Sequence, residues 1–396
     1  MAETKLEADW LHREDLAMLV DALGAEDMRW VGGSVRDTLL GIEVADIDAA
    51  TMHEPQEVIR RLKEAGIRSV PTGIDHGTVT ALMPGGPVEI TTLRKDVSTD
   101  GRRATVAFAS NWRDDAARRD FTINALYAHP VTGLVTDYFG GLEDLAARRV
   151  RFIGNAHERI REDHLRILRY FRFQARFGSQ LDETAEQACS ELAETLKGLS
   201  RERVAKELLL LLGLPDPHPT VARMRALGVM QVVIPESGAH ELDVLERLIA
   251  REKAERVKPD GLRRLAAMVP TVPPVAETIA SRLRLSRAQR ERLVSVSKRM
   301  ADDAENARAL AYRKGMEIAV DRVLLAGGSI AKLRGWEVPV FPLKGGEIVQ
   351  RGVGAGPEVA RILQGIQNIW VAEGFPERAR VLALLDAEMD RREQAG

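Results

Sequence analysis

The feature that most constrains this chain is a change of texture near Gly154, where the strand signal all but stops. Before it, short β-rich runs at Met28–Val31 and at residues 44–51, 77–83, 88–93, 104–109 and 133–139 alternate with Gly, Pro and Asp punctuation. One helix is signposted among them, with Pro55 at its start, residues 56–65 as its body and Gly66 as its stop. Beyond Gly154, Leu/Ala/Arg/Glu-rich segments recur at helical spacing, broken at Gly178, Gly198, Pro215, Pro235 and around Pro270. The expected architecture is therefore α+β: a mixed head followed by an all-helical remainder. Residues 339–357, with five glycines and little periodicity, read as a late loop, and no internal repeat or low-complexity tract interrupts the pattern.

The 396 residues are too many for one small module, since a domain takes roughly 150. Lys and Arg number 57 against 59 Asp and Glu, a net charge of −2, so any basic patch must be local and offset elsewhere. The one cysteine, Cys189, excludes an internal disulfide and a cysteine-based zinc site and fits a reducing compartment. Residues 1–11 are polar and acidic, without the basic-then-apolar order of a signal peptide, and no apolar run approaches the ~18 residues of a membrane span. A cytoplasmic protein without a membrane segment is the expectation.

The chemistry concentrates early. Gly32-Gly33-Ser34-Val35-Arg36-Asp37 lies between a β-like run and a short helix-like stretch, where glycine backbone N–H groups can approach a phosphate and Ser34 adds a hydroxyl. Thirteen residues on come Asp46-Ile47-Asp48. Because strand side chains alternate, the two carboxylates project from the same face of one strand, an oxygen site suited to Mg²⁺, while Ile47 points the other way into a core. Glu89, in Pro-Val-Glu-Ile-Thr-Thr, can supply a third ligand from a neighbouring strand. An Asp-x-Asp alone is commonly a solvated strand end, and a Gly-Gly turn says less; joined at this spacing they form a phosphate cradle, a short helix and a metal-binding strand.

These motifs resemble the nucleotidyltransferase superfamily with a DNA-polymerase-β-like palm. Arg118-Arg119-Asp120-Phe121-Thr122-Ile123-Asn124-Ala125-Leu126 and Glu162-Asp163-His164-Leu165-Arg166-Ile167-Leu168-Arg169 narrow the resemblance to class II CCA tRNA nucleotidyltransferases and bacterial poly(A) polymerases. It covers residues 31–212 strongly and the remainder loosely. It implies metal binding and catalysis by Asp46, Asp48 and Glu89, and nucleotide binding by Gly32, Gly33, Ser34, Arg36, Arg118, Arg119, Asp120, Asn124, Asp163, Arg166 and Arg169. Two Mg²⁺ ions would activate an RNA 3′-hydroxyl and stabilise departing pyrophosphate, with no covalent protein nucleophile.

Residues 155–176 read as one helix, with Ile160, His164, Ile167, Leu168, Phe171 and Ala175 on one side and Asp163, Arg166 and Arg169 on another. The charged side is either a surface ion pair or a base reader. A carboxylate accepts from an exocyclic amine and a guanidinium donates to a ring acceptor. Cytosine and adenine both offer that pair, whereas uracil and guanine place a carbonyl where the amine should be. The resemblance assigns this reading role to Asp163 and Arg166.

Residues 95–103 form a charged loop, an ordinary exposed hairpin loop by sequence and, by resemblance, the mobile loop used in switching from C to A addition. The stretch Pro71-Thr72-Gly73-Ile74-Asp75-His76-Gly77-Thr78-Val79 is similar to the tRNA-directed branch, and no His-Asp phosphohydrolase dipeptide occurs. Residues 148–176 carry nine Arg against three acids, and residues 281–300 seven basic residues against one acid, which suits RNA backbone contact. Leu199-Ser200-Arg201-Glu202-Arg203-Val204-Ala205-Lys206-Glu207 resembles a Glu-Arg-x-x-x-Glu motif that supports the base reader.

The expected division is a catalytic head at 1–140, a base-reading neck at 141–212, a helical body at 213–275 and an RNA-binding tail at 276–396. The expected activity is addition or repair of the 3′-terminal CCA of tRNA from CTP and ATP with release of pyrophosphate, with Mg²⁺ as cofactor and the tRNA 3′ end as partner. No protein partner is implied. The alternatives are a poly(A) polymerase and, from another class, a non-catalytic RNA-binding protein with a degenerate palm.

Overall fold

Burial alternates along Met28–Val31 and along Gly86–Thr92 as it must in strands that cover a core on one face. In the computed structural model, which describes residues 3–74, 77–100, 103–109 and 111–393, these are β1 and β5 of a seven-stranded sheet. The other strands are β2 (Ile47–Thr51), β3 (Ser69–Gly73), β4 (Thr78–Met83), β6 (Arg94–Asp100), β7 (Arg103–Phe108), β8 (Leu126–Ala128) and β9 (Val135–Asp137). The sheet runs β3-β4-β5-β2-β1-β8-β9, and β6 and β7 form a separate antiparallel hairpin. Within the large sheet β2 and β5 are parallel, and the register sets Asp48 directly opposite Glu89 on one side and Val31 on the other.

The first compact unit, Met1–Pro235, also holds helices α1 (Glu14–Leu23), α2 (Gly33–Leu39), α3 (Pro55–Glu64), α4 (Trp112–Ala117), α5 (Gly141–Ala146), α6 (Ala156–Glu162), α7 (Arg166–Phe177), α8 (Glu183–Glu191), α9 (Arg201–Leu212), α10 (His218–Ala226) and α11 (Val229–Val233). Helix α3 starts at Pro55, buries Val58 and Leu62 one turn apart, and ends before Gly66, whose φ of +73° is the left-handed turn a glycine permits. An aromatic cluster fixes α7: Tyr170 stacks on Phe152 at 5.8 Å, and Phe173 lies 5.2 Å from Phe121.

In the second unit, Glu236–Gly396, the described residues form helices joined by loops: α12 (Ala239–Ala254), α13 (Gly261–Ala267), α14 (Pro273–Arg282), α15 (Arg287–Val296), α16 (Ala307–Lys314), α17 (Met316–Leu325), α18 (Gly345–Val349), α19 (Pro357–Ala372) and α20 (Arg378–Glu393). Trp370 anchors an apolar core with Ile362, Ile366, Val381 and Leu385. A second, ionic core joins α12, α13, α15 and α17, where buried Asp321 accepts from Arg263 at 2.7 Å and Arg292 at 2.6 Å, and Glu252 accepts from Arg263 and Arg264.

Four expectations change. The run 95–103 is not a loop through its length, since Arg94–Asp100 is β6; Gly101 and Arg102 lie outside the described residues, as do Asp75 and His76. Strand β3 escapes notice because Pro71 weakens the signal, yet an edge strand tolerates proline where its pairing with β4 is irregular. The late loop contains the short helix α18. Most consequentially, residues 155–176 are two helices, broken at Asp163, whose backbone is extended (φ −149°, ψ 105°) and whose Oδ1 accepts the Leu165 N–H at 3.1 Å. An Asp side chain that captures a nearby N–H starts a new helix better than it continues an old one.

Candidate active site

Strand β1 ends at Val31, and the chain turns through Gly32, with φ of +68°, into α2. A Cβ at Gly32 would meet Arg119 Nη1 at 3.4 Å and Asp48 Oδ2 at 4.0 Å, so glycine serves both the turn and the close approach. The turn opens onto a cleft of about 860 Å³. Every residue named from the sequence lines it except Ser34, which is fully buried and donates its hydroxyl to Val31 O at 3.1 Å. The expected phosphate-directed hydroxyl is thus turned inward and closes the β1–α2 turn instead. Arg172, Phe173, Arg176 and Lys206 join the lining, giving eight basic side chains against five acidic ones, a wall for a polyanion.

Asp46 stands one residue ahead of β2 and is exposed, so the two aspartates do not share a strand as the alternation predicted. Ile47 is buried as expected, and Asp48 faces Glu89 across the parallel β2–β5 pair. Burial pushes the Asp48 carboxyl up to about 6, aided by the charges of Glu89 and Asp46, against the pull of Arg119 and Arg36. Among the described residues no three metal-binding side chains are gathered into a finished cluster, and none of these three carboxylates has a hydrogen-bond or ion-pair partner.

The Arg118-Arg119 segment is held by a carboxylate the sequence reading missed. Asp115, fully buried at the start of α4's last turn, accepts from Arg118 at 2.6 Å, from Arg119 at 3.2 Å and from the Tyr127 hydroxyl at 2.7 Å. Burial works to raise Asp115, but Arg119, Arg118 and Tyr127 outweigh it and hold it at about 2. Asp120, the residue after Arg119, accepts from Arg169 Nε at 2.8 Å and from Asn124 Nδ2 at 2.9 Å.

Because the helix breaks at Asp163, its carboxylate and Arg166 do not pair with each other. Asp163 Oδ2 accepts from Arg203 of α9 at 2.6 Å, while Arg166 Nη1 donates to Glu162 and to Arg159 O. Glu207, also on α9, accepts from Arg172 at 2.6 Å and lies 3.7 Å from Arg169. The spacing Arg203 to Glu207, one turn of helix, was the sequence signal for this support. Asp115 stands at the same one-turn spacing from Arg118 and Arg119, a signal the sequence offered, whereas Tyr127 comes from β8 and carried none.

The model for a family described as "Poly A polymerase head domain" matches residues 28–151, and one described as "Probable RNA and SrmB- binding site of polymerase A" matches residues 178–239. The mitochondrial CCA tRNA nucleotidyltransferase 1 of Mus musculus is 34% identical over 388 residues, covering 92% of this chain and 88% of its own. A CCA-adding enzyme of Levilactobacillus brevis is 41% identical over 224 residues, 56% of this chain and 55% of its own. Among solved structures, the Bacillus stearothermophilus CCA-adding enzyme in complex with CTP matches with a TM-score of 0.75 at 25% identity, over 97% of this chain and 99% of that one. A Thermotoga maritima CCA-adding enzyme complexed with tRNA shares the fold, with a TM-score of 0.67 at 21% identity over 98% of this chain and all of that one. With this likeness running nearly end to end, the chain belongs to the CCA tRNA nucleotidyltransferase family.

Proposed function

We propose that this chain is a template-independent nucleotidyltransferase that builds or repairs the 3′-terminal CCA of tRNA from CTP and ATP and releases pyrophosphate. The observation that carries the reading is the meeting, in one basic-walled cleft, of the Asp46, Asp48 and Glu89 carboxylates with Asp163 and Arg166. The relatives are named for adding CCA to tRNA, and solved relatives carry CTP, ATP and tRNA. A poly(A) polymerase shares the head family, and the curated relatives that match over most of this chain's length are named for CCA addition instead.

Three carboxylates without protein partners, one of them raised by burial and then by the charge of the others, are an oxygen-only donor set that a hard divalent cation would relieve. Asp46, Asp48 and Glu89 would hold Mg²⁺. A metal ion held there would supply Lewis-acid stabilisation to the phosphate under attack and to the leaving pyrophosphate. The chain's own residues do the positioning. Arg36, Arg118, Arg119 and Arg169 line the cleft as permanently charged phosphate and ribose contacts, each fixed by a carboxylate behind it.

Asp163 is aimed by two bonds that leave lone pairs for an exocyclic amine, which cytosine and adenine offer and uracil and guanine do not. Cys189 is fully buried and takes no part. In this reading, residues 1–140 catalyse, 141–212 read the base, and the helices of 213–275 and 276–396 hold the RNA. Among the described residues no helix is long and apolar enough to cross a membrane. The single cysteine supports a cytoplasmic placement; the Mus musculus relative is mitochondrial.

Asp163→Ala tests the base reader. Discrimination of CTP and ATP against UTP and GTP should fall about a hundredfold in single-nucleotide incorporation, because the rejected bases no longer face an unpaired carboxylate. Unchanged discrimination would remove Asp163 from this role.

A further inference from the structure

Phe173 sits inside a closed ring of polar bonds that leaves α7 and returns to it. Arg169, one turn before Phe173, donates Nε to Asp120 Oδ2 at 2.8 Å, and Asp120 Oδ1 accepts from Asn124 at 2.9 Å. Asn124 Oδ1 accepts from Arg36, whose Nε donates to Asp37 Oδ1 at 2.8 Å. Asp37 Oδ2 then accepts from Arg176 at 3.0 Å, and Arg176 lies on α7 two turns beyond Arg169.

The interior of the ring is aromatic. The Arg36 guanidinium lies 5.2 Å from the Phe173 ring centre and 4.3 Å from that of Phe177, with Arg169 5.5 Å from Phe173 and Arg176 4.7 Å from Phe177. Arg36, Asp37, Asp120 and Asn124 are all buried, so none can be re-solvated without breaking a bond. Arg36 has one guanidinium face on the phenyl rings and its edge spent on Asp37 and Asn124, which leaves it a single orientation toward the cleft.

We propose that Asp37 and Arg176 are positioning residues for nucleotide transfer: their pair closes the ring, so that Arg36 beside the Gly32-Gly33 turn and the base-reading end of α7 keep one fixed relation. This rests on the reading above that the cleft takes CTP and ATP. Neither residue needs to touch the nucleotide. A base seated correctly against α7 then finds Arg36 already placed for the phosphates, and opening the ring loosens that placement without removing a contact. The signature is a loss in kcat larger than any change in KM, since misplacement by about 1 Å can cost up to a hundredfold in rate while binding persists.

The test uses the full chain with tRNA transcripts lacking CCA, or lacking only the last A, and measures steady-state CMP and AMP incorporation. Arg176→Met should lower kcat at least about tenfold for both nucleotides with KM within about threefold of wild type. Arg176→Lys, which keeps a positive charge opposite Asp37, should recover most of the loss. Asp37→Asn combined with Arg176→Met should be no slower than the slower single variant, because the ring is already open. Thermal unfolding run alongside identifies any variant that fails to fold, and Arg176→Lys then carries the comparison through its own kcat and KM. The proposal is overturned by an unchanged kcat, by a change in KM alone, by multiplying losses in the double variant, or by a lysine no better than methionine. A wild-type protein that incorporates nothing into tRNA would instead remove the functional reading.

Discussion

Replacing Asp48 with asparagine should make the metal-free protein more stable while abolishing nucleotide transfer. Asp48 is pushed from the ordinary 3.8 up to about 6, by burial first and by the charges of Glu89 and Asp46 next. The folded value lies above the unfolded one, so the native state holds more protons across roughly pH 4 to 6. Stability therefore falls as pH rises through that window, and the whole cost is present above it. At about 1.4 kcal/mol per unit, two units give an upper limit of about 3 kcal/mol. The asparagine side chain keeps the shape and removes the charge, so calorimetric unfolding in EDTA at pH 7.5 should rise by several degrees, the gain shrinking toward pH 4. Added Mg²⁺ should stabilise the wild type and leave the variant nearly unmoved. An Asp48→Asn melting point equal to or below wild type at pH 7.5, or a gain independent of pH, would refute the crowded-carboxylate account.

Arg203→Met should leave Asp163 held by the Leu165 N–H alone and lower discrimination of CTP over UTP about tenfold, less than Asp163→Ala; the ratio of UMP to CMP incorporation reads it, and an unaltered ratio would make Arg203 a bystander. Asp321→Ala removes the buried carboxylate shared by Arg263 and Arg292 in the ionic core of the second unit and leaves Arg263 on Glu252 and Arg292 on Asp260 and Glu317, so denaturant unfolding followed by tryptophan fluorescence should show a loss of about 2–4 kcal/mol. A loss under about 1 kcal/mol would mean that water or a neighbouring acid takes over those guanidinium groups. Cys189 is fully buried and its thiol is pushed well above the ordinary value by burial, so it should resist a thiol reagent in the native protein and react fully in guanidinium chloride. Fast labelling of the native protein would contradict that burial.

Much of this molecule was legible in its sequence because the informative residues are local. The Gly-Gly turn, the carboxylates of β2 and β5, and the Arg-Arg-Asp segment each carry their own spacing, and all reach one cleft. The switch to helix beyond Gly154 is a matter of periodicity, which sequence states directly. What escaped depends on tertiary competition. Asp163 sits in a helical pattern on both sides, and only the choice of its carboxylate to accept the Leu165 N–H splits the helix. Ser34 was expected to face a phosphate because nothing local says which way a hydroxyl turns. Tyr127 reaches Asp115 and Arg119 from a separate strand, and the ring through Asp37 and Arg176 joins residues 139 positions apart. Such long-range pairs have no signature in spacing.

The central claim is tested most directly by giving the purified protein tRNA transcripts that lack their 3′ end, with each labelled nucleotide alone and then with CTP and ATP together in Mg²⁺. The account predicts incorporation of two CMP and then one AMP, followed by a stop, with UTP and GTP refused. Long adenylate tracts on arbitrary RNA would place the chain in the poly(A) branch instead, and no incorporation of any nucleotide would contradict the account outright.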